Sequence, residues 1–227
     1  MNLNPRVIIM LRHPKNSNLH LHRDDTFDGL PVMVDKGPFI RAYLARLKQT
    51  IDRALDQYPR VLAFRVDLRL PRRIELPDDV DTNDVIRRFI ASFSSKIEHN
   101  RDMARKVNKY AHDSRVRYVW AREEGLLGRP HYHLVIMLSL DAFYTVGKIS
   151  SDNENIFHRL QQAWASALRL PVGAVSGLVE LPNNPTYRLR RDGDETYRDL
   201  FYRASYLCKD ATKVFGDGKH GFGCSRR

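Results

Sequence analysis

Two imidazoles separated by one residue stand at the head of an apolar run, His131-Tyr132-His133-Leu134-Val135-Ile136-Met137-Leu138. Successive side chains of a strand point to opposite faces, so His131 and His133 share one face and Tyr132 takes the other. Histidine is the commonest metal ligand among side chains. A pair fixed on a strand needs only a carboxylate from a neighbouring strand to hold a divalent ion. Residues 116–123 read as that neighbour, joined to the histidine strand by a hairpin turn at Gly125-Leu126-Leu127-Gly128-Arg129-Pro130. Glu123 or Glu124 then lies beside the histidines. Strand alternation puts the two glutamates on opposite faces, so only one can be the ligand, and a one-residue bulge would exchange them. Two surface or hydrogen-bonded histidines are the ordinary alternative for such a pair.

A second group lies near the C-terminus. Residues 195–213 read as a helix in which Tyr202, Tyr206, Lys209 and Lys213 are spaced i, i+4, i+7 and i+11. At roughly 100° per residue they form one stripe, with Leu200, Ala204, Leu207, Cys208 and Ala211 on the opposite side. A tyrosine hydroxyl titrates near ~10 and is a poor nucleophile unless a cation or metal site stabilises its anion. A lysine one turn away supplies part of that stabilisation. The alternative is an amphipathic helix whose tyrosines merely rim the core.

His131-Tyr132-His133 together with Tyr206-Leu207-Cys208-Lys209 resembles the motif pair of the HUH endonucleases, the family of rolling-circle replication initiators, relaxases and related transposases. Arg65-Val66-Asp67-Leu68-Arg69-Leu70-Pro71, Trp120-Ala121-Arg122-Glu123 and Ser205-Tyr206-Leu207-Cys208-Lys209 are similar to the inovirus (filamentous-phage) type of initiator, which also occurs in prophages and other integrated elements. The resemblance runs from Asn18 to the C-terminus. It implies a divalent metal, Mg2+ or Mn2+, held by His131, His133 and the acidic residue of the Trp-x-Arg-Glu pattern, Glu123. It also implies that Tyr206 attacks a DNA phosphodiester and becomes linked to the 5′-phosphate, with Lys209 steadying the tyrosinate or the phosphate. Tyr202 would be a second nucleophile or a residue on which a base stacks. Arg65, Arg69, Arg122 and Lys213 are expected on DNA. The implied role is initiation of rolling-circle replication of a phage or mobile element. Single-stranded or hairpin DNA is the expected partner, with no membrane and no small-molecule cofactor. The chain has no phosphate-binding Gly-x-x-x-x-Gly-Lys-Ser/Thr loop, so a helicase would be the host's. Two other classes remain: a non-catalytic DNA-binding regulator of a mobile element, and a metal-dependent phosphoesterase that uses water.

The elements that must position these residues follow from apolar spacing. A helix is expected from Pro38 to before Pro59, with Phe39, Ile40, Tyr43, Leu44, Leu47, Ile51 and Leu55 buried. Residues 61–70 alternate, with Leu62, Phe64, Val66 and Leu68 on one face and Arg65, Asp67 and Arg69 on the other. Asp67 is there a metal ligand, an arginine's partner or a solvated residue. A long basic helix spans 82–109 with Val85, Ile86, Phe89, Ile90, Phe93 and Ile97 as its stripe, which suits a DNA backbone or plain solvation. Ser151-Asp152-Asn153-Glu154 reads as a capping box before a helix carrying Ile156, Phe157, Leu160, Trp164 and Leu168. A further strand is expected over 174–181, and Pro182 and Pro185 mark a loop. Residues 1–36 read as irregular apart from a short apolar run at 7–11. Their own His20-Leu21-His22 lacks an apolar strand behind it and ranks below His131 and His133. The glycine-rich, basic tail at 216–227 suits either a phosphate contact or a flexible terminus.

The fold class these elements imply is α+β: an antiparallel central sheet with helices packed on it, in two or three layers, and the resemblance implies that the sheet is of the RRM-like or HUH type. A hairpin-length link between the glutamates and histidines excludes a parallel pairing there. One domain is expected over 1–227, made of an N-terminal extension and helix (1–58), a core (59–215) and the tail (216–227). The chain has 38 basic and 27 acidic residues, a net charge of +11, as a partner of polyanions would. No run approaches the ~20 apolar residues of a membrane helix. Two cysteines, Cys208 and Cys224, give no disulfide framework, and the N-terminus lacks a signal-peptide pattern. Both features suit a reducing cytoplasm.

Overall fold

The computed structural model describes residues 11–72, 74–124, 129–147, 154–193 and 195–226. In chain order the elements are β1 Leu11–His13, β2 Asn16–His22, β3 Thr26–Phe27, β4 Leu30–Pro31, β5 Phe39–Ile40, α1 Arg41–Gln57, β6 Arg60–Leu68, α2 Asp84–Val107, β7 Arg117–Glu124, β8 Pro130–Ser139, α3 Ile156–Leu168, β9 Val179–Glu180, β10 Thr186–Arg190, α4 Glu195–Ser205 and β11 Phe222–Cys224. Six strands form one antiparallel sheet in the order β10-β6-β8-β7-β11, with β9 also paired to β6. β8, the histidine strand, is central.

The α+β class with helices on an antiparallel sheet is therefore the architecture, and it has three layers. Leu62, Phe64, Val66 and Leu68 of β6 and Tyr132, Leu134, Ile136 and Leu138 of β8 face α2 and α3 in one core. Val61 and Ala63 of β6, Val119 and Ala121 of β7, and Val135 and Met137 of β8 face α1 and α4 in the other. Burial on both faces explains why β8 reads as an almost unbroken apolar run. At one end of the α1/α4 face the alternation places Arg65, Asp67, Glu123, His131 and His133 where core residues would otherwise stand.

Several boundaries differ from the sequence reading. Pro38 to Ile40 do not start the first helix: Phe39 and Ile40 form β5, paired with β2, and α1 begins at Arg41. Residues 11–36 are not irregular, since β1 and β2 form a hairpin there, and the apolar run at 7–11 lies, except for Leu11, outside the described residues. The strand expected over 174–181 is a 3-10 turn, Val172–Val175, followed by the two residues of β9. Another strand missed is β10, whose residues pair one for one with β6 although Pro182 and Pro185 had pointed to a loop. The N-cap of α3 is Asn155, which accepts from the His158 amide at 3.1 Å, while Glu154 binds Arg159 at 3.0 Å. Ser151, and the turn residues 125–128, lie outside the described residues. No described helix is long and apolar enough to cross a membrane.

The tail is part of the sheet. β11 pairs with β7, and Asn83 and His220 exchange two hydrogen bonds, of 2.7 and 3.0 Å, that tie the preceding segment to the start of α2. Gly223 lies directly over Trp120, where a β-carbon would stand 2.5 Å from the indole. That ring is buried against Tyr132 and cannot give way. Gly223→Ala is therefore expected to cost about 1–3 kcal/mol, read as a lower urea midpoint with an unchanged m-value. An unchanged midpoint would mean that β11 contributes little to the fold.

Candidate metal centre and tyrosine loop

β7 and β8 pair residue for residue without a bulge, which sets Glu123 opposite His131 and Ala121 opposite His133. Glu123 therefore meets His131 directly and His133 on the diagonal. Its Oε2 lies 3.6 Å from His131 Nε2 and 3.4 Å from His133 Nε2. One ligand atom from each of the three residues falls within 4.8 Å of the others, a group that could hold a metal ion. Glu124 points the other way and pairs with Arg122 at 3.2 Å.

Asp67, on the other flank of β8, stands opposite His133. His133 Nδ1 donates to Asp67 Oδ1 at 2.7 Å, which fixes the tautomer and leaves the Nε2 lone pair facing Glu123. That Nε2 is buried without a hydrogen-bond partner, the condition expected of a ligand atom. Arg65 Nη2 holds the same Asp67 oxygen at 3.2 Å. Asp67 is thus the group that orients a histidine, a role the sequence left among three alternatives. The two imidazoles and the Glu123 carboxylate fit a divalent ion by donor type as well as by spacing.

Charges at the site are displaced accordingly. Burial would raise the Glu123 pKa, but contacts with His131 and His133 and the charge of Lys213 outweigh it and hold the carboxyl far below its usual range. Burial pushes His133 down, yet its hydrogen bond to Asp67 and the nearby Glu123 carboxylate leave it above the ordinary imidazole value. Burial also drives the Lys213 amine down to about 8, against the pull of Glu123.

The tyrosine segment is not one helix. α4 ends at Ser205, residues Tyr206–Cys208 make a 3-10 turn, and Lys209 is extended and bridges Phe39 of β5. The Asp210 amide then donates to the Pro38 carbonyl at 2.9 Å. Burial of Leu207 and Cys208 against the α1 side, with this pairing, overrides the helical periodicity seen in sequence. Lys209 and Lys213 therefore swing inward to Glu123 Oε1, at 3.2 and 4.0 Å. Tyr206 packs edge-on to His133, with ring centroids 5.6 Å apart. Lys209 Nζ lies 3.7 Å and the Arg65 guanidinium 5.5 Å from the centre of that ring.

Other expected residues sit elsewhere. Tyr202 is 41% exposed on α4 and makes no ring contact with the histidines among the described residues. Arg65, Arg122 and Lys213, expected on DNA, are buried: Arg65 serves Asp67, Arg122 ties Glu124 and Asp217, and Lys213 faces Glu123. Arg69 is exposed and paired with Glu180 at 2.9 Å. His22 of the second histidine pair is buried beside Phe27. Sequence reasoning missed His13, whose Nε2 lies 2.9 Å from Asp210 and anchors the tyrosine loop to the N-terminal hairpin. Only tertiary pairing could have revealed it.

A family model described as the YagK/YfjJ C-terminal domain matches residues 22–225. YfjJ of Escherichia coli (strain K12), described as an uncharacterized protein, is 34% identical over 201 residues, 84% of this chain and 96% of that protein. YagK of the same strain, described likewise, is 32% identical over 198 residues, 84% of this chain and 95% of that protein. No solved structure matches the chain.

Two outcomes are expected from calorimetric titration with Mn2+. Asp67→Asn should weaken binding by roughly 10- to 100-fold while the fold persists. Because a proton on His133 Nε2 competes with the ion, affinity should fall as pH drops through a midpoint above the usual ~6.5, and Asp67→Asn should move that midpoint down. Equal affinity in the variant would remove Asp67 from the site.

Proposed function

The chain belongs to the YagK/YfjJ C-terminal domain family, and from the site it carries we propose that it nicks and rejoins single-stranded DNA through a covalent 5′-phosphotyrosine on Tyr206. The observation that carries this reading is Lys209, whose ammonium touches both the buried Glu123 carboxylate and the Tyr206 ring. It joins the His131–His133–Glu123 group to the one tyrosine packed against it. A surface tyrosine or a purely structural histidine pair would not need a shared, buried cation.

In the forward step the Tyr206 oxygen bonds to phosphorus as the bond from phosphorus to the 3′ oxygen breaks. The phenol loses its proton and the departing 3′ oxygen gains one, so the products are a 5′-phosphotyrosine and a free 3′-hydroxyl. Lys209, and Arg65 behind it, set positive charge beside the phenol as its anion develops. Asp67 holds His133 in the tautomer and orientation a metal needs. Mg2+ or Mn2+ on His131, His133 and Glu123 would supply charge that stabilises the scissile phosphate. Attack by the freed or another 3′-hydroxyl on the phosphotyrosine reverses the step and joins ends, because the bond exchanged is of the same kind.

The motif resemblance to inovirus-type initiators supports a role in starting rolling-circle replication of a phage or mobile element in the cytoplasm, with unwinding left to a host helicase. Tyr202, exposed one turn before Tyr206, suits stacking on a base better than attack, since the contacts that surround Tyr206 are lacking there.

The test uses labelled single-stranded oligonucleotides tiling the DNA that encodes and flanks the chain, with Mn2+, resolved on denaturing gels. A protein–DNA adduct is expected in the wild type and in Tyr202→Phe. Tyr206→Phe and His133→Ala should lower it at least 10²-fold, the scale of a lost catalytic group. An adduct surviving in Tyr206→Phe would move the nucleophile to Tyr202. Salt-sensitive binding without an adduct would favour a regulator, and cleavage leaving no protein on the product would favour hydrolysis by water.

A further inference from the structure

Between the turn of the β1–β2 hairpin and the glycine-rich segment 214–221 lies a cavity of about 540 Å3. Its wall carries Lys15 from the hairpin, Lys213 from the tyrosine loop, and Lys219 and His220 from the segment, and no aspartate or glutamate lines it. Neither Lys15 nor Lys219 makes an ion pair with a described residue. The walls are fixed to each other rather than merely adjacent. His13 Nδ1 accepts from the Lys15 amide at 3.1 Å, its Nε2 faces Asp210 at 2.9 Å, and its ring lies 4.4 Å from that of Phe215.

Lys213 links this cavity to the metal centre. It lines the cavity, its amine is buried with no hydrogen-bond partner, and that amine stands 4.0 Å from Glu123 Oε1. Gly216 and Gly218 have φ of +88° and +71°, and nothing lies within 4 Å of where a β-carbon would stand on either. Left-handed backbone, not crowding, calls for glycine there, and it leaves open backbone beside the cations. A space of this size, cationic, without carboxylates and edged by Tyr43 and Phe215, has the volume and chemistry for one nucleotide.

We propose that this cavity holds the nucleotide adjoining the cleaved phosphodiester, with Lys15 and Lys219 on its phosphate. The proposal rests on the nuclease reading for the identity of the strand and adds the route by which that strand leaves the site.

The test compares wild type, Lys15→Ala/Lys219→Ala and the control Arg115→Ala/Arg190→Ala, which removes the same charge from the end of the sheet opposite the site. The probe is a single-stranded oligonucleotide, titrated at several salt concentrations in the Tyr206→Phe background. Adduct formation with Mn2+ is measured in parallel on chains that retain Tyr206. The cavity pair should raise Kd on the order of ten-fold and lower the salt slope by about 0.7, the share of one phosphate on a single strand. The control pair should do much less, and Mn2+ affinity should be the same in all three. Equal weakening by both pairs, or unchanged binding in the cavity pair, would overturn the proposal even where the adduct forms normally. Selective weakening by the cavity pair without any adduct in wild type would keep the cavity as a strand site and sink the nuclease reading. No binding by any chain would overturn both.

Discussion

A carboxylate stands where the sheet should be apolar. Glu123 is 3% exposed on a face whose nearest β7 residues, Val119 and Ala121, are core. An isolated buried anion is expensive, several kcal/mol per ion even after relaxation, unless its partners are close and well placed. The partners here come from different parts of the chain: His131 and His133 from β8, Lys209 and Lys213 from the loop after α4. The N-terminal hairpin and β5 then hold that loop, through His13–Asp210 and the Lys209–Phe39 bridge. Elements that look peripheral are in place because the sheet carries a charge that must be met.

Regular structure does most of the positioning and irregular structure does the remainder. Antiparallel pairing alone decides that Glu123 faces His131 and Asp67 faces His133, with no freedom left to the loops. The lysines could not be delivered by helical geometry. On a continued helix Lys209 and Lys213 would have pointed along the stripe of Tyr202. The 3-10 turn at Tyr206 stops the helix and redirects the chain, so the tyrosine ring, Lys209 and His133 meet.

This division also sets what the sequence discloses. The alternation in residues 61–68, the apolar run that follows His133 and the short turn between residues 124 and 130 are enough to read the three strands, and strand geometry then gives the shared face of His131 and His133 and the opposition of Glu123 to Glu124. The three helices α1, α2 and α3 are likewise legible to within a few residues, because each carries a complete apolar stripe. The end of α4 is not legible, since Leu207 and Cys208 continue the helical pattern while being buried for a different reason, contact with the α1 side. β10 hides because two prolines precede it and its exposed residues are polar, as an edge strand allows. β11 hides behind glycine: composition suggests a loose tail, whereas Gly223 is there to clear Trp120. The burial of Arg65 and Arg122 is equally invisible, because basic residues near a motif read as ligand contacts until their carboxylate partners are known.

The charges around Glu123 favour an anion that the chain does not supply. Glu123 and Asp67 contribute two negative charges, while Arg65, Lys209 and Lys213 contribute three positive ones, so the cluster with neutral histidines is at +1. A divalent ion raises it to +3 inside a partly buried site, where charges are screened less than in water. The Lys213 amine is pushed down to about 8, chiefly by burial, with Glu123 pulling it up and Lys209 adding a smaller push down. Further positive charge is better tolerated when an anion arrives with it, and a phosphate's charge restores balance. A divalent ion in this group would therefore be held more firmly with a phosphate beside it than without one. The same arithmetic favours a phosphate over a neutral ligand at this site, because only an anion relieves the repulsion between the ion and the lysines.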